Sequence, residues 1–122
     1  MDPVQLEKAL NEMPPVTLIT EIPEVLNAIA HLLKSNQEMR EFDPDNKDPD
    51  FIQAIKENTD LITRKEKQVN ITLQVIRERL GEAAWREMGS NVKEFREIHA
   101  QELKAEQQLQ NEKDKKEEGI FL

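Results

Sequence analysis

The densest run of side chains able to do chemistry is EFDPDNKDPDFIQAIKEN, residues 41–58, where Asp43, Asp45, Asn46, Asp48 and Asp50 crowd together. Oxygen donors at that density invite comparison with an EF-hand calcium loop. Such a loop needs ligands at alternate places, a glycine at the sixth and a bidentate carboxylate at the twelfth. Counted from Asp43, the fifth place holds Lys47, the sixth Asp48 and the twelfth Ala54. A cation stands where a ligand should, and the bidentate carboxylate is absent; frames from Asp45 or Asp48 fail as well. Asp48 followed by Pro49 reads instead as a helix start. The carboxylate accepts from orphan N–H groups, the proline needs no partner, and Asp50 adds favourable charge in the first turn. The stretch is therefore expected to join two helices without binding metal.

The other reactive residue types are thinly spread. His31 and His99 are the two histidines, and neither belongs to a paired-histidine metal motif. A lone histidine on a helix is ordinarily packed or solvated. Three isolated glycines cannot build a phosphate cradle. The chain has no cysteine, which removes disulfides, zinc–thiolate sites and a thiol nucleophile. Glu94 with Glu97, and Glu117 with Glu118, read as solvated helix faces. No catalytic, cofactor-binding or metal-ligating residues are expected, and no enzyme activity. Asn70-Ile71-Thr72 matches a glycosylation acceptor but falls inside a predicted helix.

Residues 51–80 carry six basic and four acidic side chains, among them Arg64, Lys65, Lys67, Arg77 and Arg79. They suggest an alternative role, a nucleic-acid-associated protein using a basic helix face, but no aromatics interleave to stack on bases. Overall the 122-residue chain carries −8, with −7 of that in residues 1–50. An acidic chain repels phosphate backbones and anionic membranes at long range. The start of the chain has no signal-peptide core, and no run reads as long enough to span a bilayer. These features lead to an expectation of an intracellular protein, in the cytoplasm or nucleus.

The elements that would position any site are helices. Few glycines, one Trp, four Phe, no Tyr and much Glu, Lys, Gln and Leu favour long helices over sandwiches or barrels. Residues 1–20 are expected to hold a short helix over 2–12, opened by Asp2, Pro3 and Gln5 in a capping-box pattern and closed by Met13-Pro14-Pro15. VTLIT, 16–20, reads as an extended linker. A bundle is expected over 21–104, with helices near 21–41, 49–80 or 49–88, and 91–104. Gly81 and the MGSN stretch at 88–91 compete as the break after the second helix. Residues 105–122 read as a charged, flexible tail with little to bury.

The second helix carries the strongest pattern. Ile52, Ile55, Thr59, Ile62, Glu66, Val69, Leu73, Ile76, Leu80 and Ala83 alternate at three- and four-residue steps, a heptad seam with polar interruptions at Thr59 and Glu66. The fold class is accordingly all-α: an antiparallel helical hairpin or elongated three-helix bundle with coiled-coil character. The first helix covers part of the seam and the third folds back on its second half. Seam left uncovered would seek a partner or a second copy. The candidate partner-binding residues are Ile62, Glu66, Val69, Leu73, Ile76 and Leu80 of the seam, with Trp85 as a contact anchor. Ile120 and Leu122 of the terminal GIFL add a candidate carboxyl-terminal ligand. The function expected is a non-enzymatic helical protein–protein interaction module, an adaptor or subunit of a larger complex.

Overall fold

The computed structural model describes residues 2–108, and every regular element among them is helical. Four helices, α1 (Pro3–Glu12), α2 (Pro15–Phe42), α3 (Pro49–Leu80) and α4 (Glu82–Ile98), are followed by a helical segment, α5, over 100–108.

Local chemistry sets the boundaries. The Asp2 carboxylate accepts from the Gln5 N–H at 2.8 Å and the Gln5 amide oxygen from the Asp2 N–H at 3.4 Å, completing the capping box. Pro15 takes the first position of α2, so VTLIT is helical and not the extended linker expected. The reason is burial. Leu18 and Ile22 lie fully inside, and packing overrides the weak β preference of the branched residues. Pro23 consequently sits in a helix interior, where it has no N–H to give to Ile19.

Between α2 and α3 the acidic cluster caps backbone. Asp43 accepts from the N–H groups of Lys47 and Asp48, and Asp48 from those of Asp50 and Phe51. Asp48 is the N-cap of α3, with Pro49 in its first turn. The break after α3 is at Gly81, whose φ of 96° and ψ of 176° lie where only glycine is at ease. MGSN is not a break: α4 runs straight through Gly89.

Side-chain bonds fix the course of the helices. Asn58 on α3 bonds Asn36 on α2, whereas Arg79 at the far end of α3 bonds the carbonyls of Leu10 and Met13, just before α2 begins. α2 and α3 are therefore antiparallel. α4 turns back along α3, with Arg96 meeting Glu66 and Asn70, and α5 carries Glu106 on to Thr59 near the start of α3. This third layer reaches further than an expected helix over 91–104. It follows the seam from Gly81 almost to its beginning, and residues 105–108 are helix, not tail.

The core is one cluster shared by α1 through α4. α2 is long and apolar enough to cross a membrane by length and composition, contrary to the sequence expectation that no run reaches that length. A core helix passes the same test, and α2 buries Leu18, Ile22, Ile29 and Leu33 in that cluster.

Candidate functional site

The seam of α3 faces the chain's own core. Ile62, Val69 and Ile76 are buried; Leu73, Leu80 and Trp85 are half-buried and packed against the same cluster. Thr72 and Val75, which sequence periodicity leaves off the seam, are buried as well, because α3 has neighbours on two sides, α2 and α4. A stripe that looked available to a partner is thus covered within the chain, mostly by α2 and further by α4. Glu66 faces α4 as an ion pair: Arg96 Nε donates to its Oε2 at 3.1 Å while Arg96 also holds Asn70. The other Glu66 oxygen is buried without a partner. Ile120 and Leu122 lie outside the described residues.

Trp85 stands at the α3–α4 corner with the Arg77 guanidinium over its ring, 4.4 Å from the centroid, and Arg77 also pairs with Glu82. Arg79 donates at 2.8 and 2.7 Å to the Leu10 and Met13 carbonyls at the end of α1, the first of which also accepts from the Met13 N–H at 3.3 Å. Two of the six basic residues of 51–80 therefore serve the fold. Lys56, Arg64 and Lys67 remain exposed.

The most concentrated polar chemistry is a buried node at the other end of the bundle, which sequence reasoning missed. Glu106 of α5 is 3% exposed. Arg40 of α2 grips its carboxylate with both guanidinium nitrogens, at 2.7 and 3.3 Å, and the Thr59 hydroxyl of α3 donates to it at 2.6 Å. Burial alone would raise the Glu106 pKa. The hydrogen bonds from Arg40 and Thr59 and the charge of Arg40 outweigh burial and lower it. Asn36, fully buried beside the node, adds a weaker pull in the same direction. Its oxygen accepts from Asn58 at 3.0 Å, but its amide nitrogen makes no hydrogen bond of good geometry.

The signal for this node was present in the apolar stripes. Asn36 follows Leu33 by three residues on α2, Thr59 interrupts the α3 seam, and Glu106 follows Leu103 by three on α5. Each is a polar residue on the inward face of its own helix. What one helix cannot show is that the three meet.

Next to the node, α2 and α5 leave an open cleft of about 360 Å³, lined by Leu33, Gln37 and Glu41 on one side and Gln101, Glu102 and Ala105 on the other. Among the described residues no three His, Cys, Asp or Glu side chains converge as metal ligands. The arrangement can hold a carboxylate and orient a helix.

Residues 2–83 match the family model described as the TMA17 helical domain, a stretch that takes in α1, α2 and α3 and stops just inside α4. No curated protein and no solved structure matches the chain.

Proposed function

The chain belongs to the TMA17 helical domain family, and we propose that it works as a non-enzymatic helical interaction module, an adaptor or subunit of a larger intracellular complex. One observation carries this reading: the α1–α3 unit already receives a helical arm along its length. Met88 and Val92 of α4 enter the core cluster of α1–α3, and Glu106 of α5 enters the polar node. A surface that takes an amphipathic helix by apolar anchors and one oriented polar contact is the helix-in-groove mode of recognition.

In-cell crosslinking followed by purification and mass spectrometry tests the reading. The expected result is one or a few protein partners at stoichiometric levels, with crosslinks that map to α2, α3 or the α4–α5 arm. A chain recovered without any such partner would sink it. The exposed Lys56, Arg64 and Lys67 on α3 favour the second reading, association with nucleic acid. That reading requires recovery of RNA or DNA that falls steeply with added salt.

A further inference from the structure

Deepening the reading of the chain as a helix-binding module, we infer that Asn36, Arg40 and Thr59 form a carboxylate-reading slot on α2 and α3, which α5 occupies as a displaceable internal ligand. The partner that replaces α5 is a helix carrying an apolar residue and, three residues later, a glutamate or aspartate.

The slot belongs to α2 and α3, within the family-matched stretch, while the acid that fills it comes from α5, outside that stretch. The donors point inward to one place. Arg40 presents a planar fork that fits a carboxylate with two bonds, and Thr59 adds a third. Without an anion there, the half-buried Arg40 guanidinium would lose its acceptor, while the Thr59 hydroxyl would turn to the Ile55 carbonyl at 2.8 Å, so it is Arg40 that calls for an acid from whatever helix covers the slot. The fully buried Asn36 beside them adds a weaker favourable interaction with the carboxylate.

The grip of α5 rests on few contacts. Glu106 is its one buried residue, and Leu103 is only partly buried against the core. Its other side chains are exposed or half-exposed, and the open cleft runs along its flank. α5 is set off from α4 by an interruption at His99. A segment tied down by one ion-paired acid and one leucine opens without disturbing α3, whose core residues are held from two sides. Leu103 and Glu106 thus spell the recognition pattern that a competing helix must reproduce.

The test uses the full-length chain carrying Leu103→Ala and Glu106→Ala, isotope-labelled for NMR. The probe is an end-blocked synthetic peptide of residues 99–108. The expected result is saturable shifts at Asn36, Arg40 and Thr59, with binding to the wild-type chain at least about tenfold weaker because its tethered α5 competes. A Glu106→Gln version of the peptide should bind about tenfold more weakly, the loss of a charge-assisted bond. No shift at the three residues would overturn the slot, and equal binding of the Gln peptide would overturn its reading of a carboxylate. If the double variant does not fold, hydrogen exchange on the wild type decides. Amides of 100–108 should exchange at least about 100-fold faster than those of Ile62 and Val69, because they open locally. Equal rates would make α5 a permanent layer and defeat the inference. Both measurements are made on the isolated chain, so their failure leaves the search for a cellular partner standing.

Discussion

Opposed physical effects meet at Glu106. Burial disfavours its charge, and the Arg40 and Thr59 bonds favour it by more, so its pKa in the fold is lowered. A lowered carboxylate pKa stabilises the fold above the unfolded-state value, and that contribution is lost as pH falls through the folded value. Replacing it, Glu106→Gln, should therefore cost about 1–3 kcal/mol near neutral pH, the range for a hydrogen bond to a charged group. The gap to wild type should close as pH drops below the ordinary glutamate range. Denaturant melts of both proteins across the acid range measure this; a gap that stays constant with pH would show that shape, not charge, holds α5. The same residue marks the limit of sequence reading. Asp2 and Asp48 were legible because a cap is completed within a few residues of chain. Glu106 meets Thr59 and Arg40 from 47 and 66 residues away; its place three residues after Leu103 marks an inward face but not the groups it meets there.

At the scale of elements, two glycines have opposite roles. Gly81 adopts a positive φ between α3 and α4, whereas Gly89 lies in the helical body of α4, and a methyl group at either place would meet no atom within 4 Å. Space is therefore not the issue; backbone conformation is. The change Gly81→Ala should destabilise by about 1–3 kcal/mol through strain at a glycine-only conformation. The change Gly89→Ala should stabilise by about 0.5–1 kcal/mol, because alanine loses less backbone freedom in a helix. Thermal midpoints of the two variants should move in opposite directions, and a shared sign would mean that the helix break is misplaced. Periodicity could not choose between these glycines, since apolar residues continue across both. Glu66 poses a related question of register. The one-residue Gly81 corner already ties α4 to α3, so an ion pair is not needed to align them. Replacing Glu66 with Leu removes an unpaired buried oxygen and leaves Arg96 bonded to Asn70. Stability should stay level or rise by about 1 kcal/mol, with the sedimentation coefficient unchanged. A changed assembly would instead make Glu66 a pairing determinant, as a buried polar residue is in some coiled coils.

At the scale of the whole molecule, the seam explains both what was legible and what was not. Its heptad spacing announced a long buried stripe and an all-α fold. It did not announce what buries the stripe, because an apolar face is equally satisfied by a partner or by a later part of the same chain. α2 supplies most of the cover and the α4–α5 arm adds to it: Met88 and Val92 of α4 and Leu103 of α5 pack in or against the cluster that holds Ile62, Val69 and Ile76. A chain ending at Ala83 would keep the whole family-matched stretch but lose this layer. Each large aliphatic side chain it uncovers forfeits roughly 1.5–3 kcal/mol, and a domain has only about 5–15 kcal/mol in total. Such a fragment should not persist as a cooperatively folded monomer. It should remain helical yet self-associate, because pairing two copies covers the part of the core that the lost arm leaves bare. Circular dichroism and sedimentation of the fragment against the full-length chain measure this directly. A monomeric fragment melting near the full-length midpoint would show that α1–α3 folds without the arm. The arm would then be an accessory laid on a finished surface, and its contacts at Met88 and Val92 would belong to recognition alone.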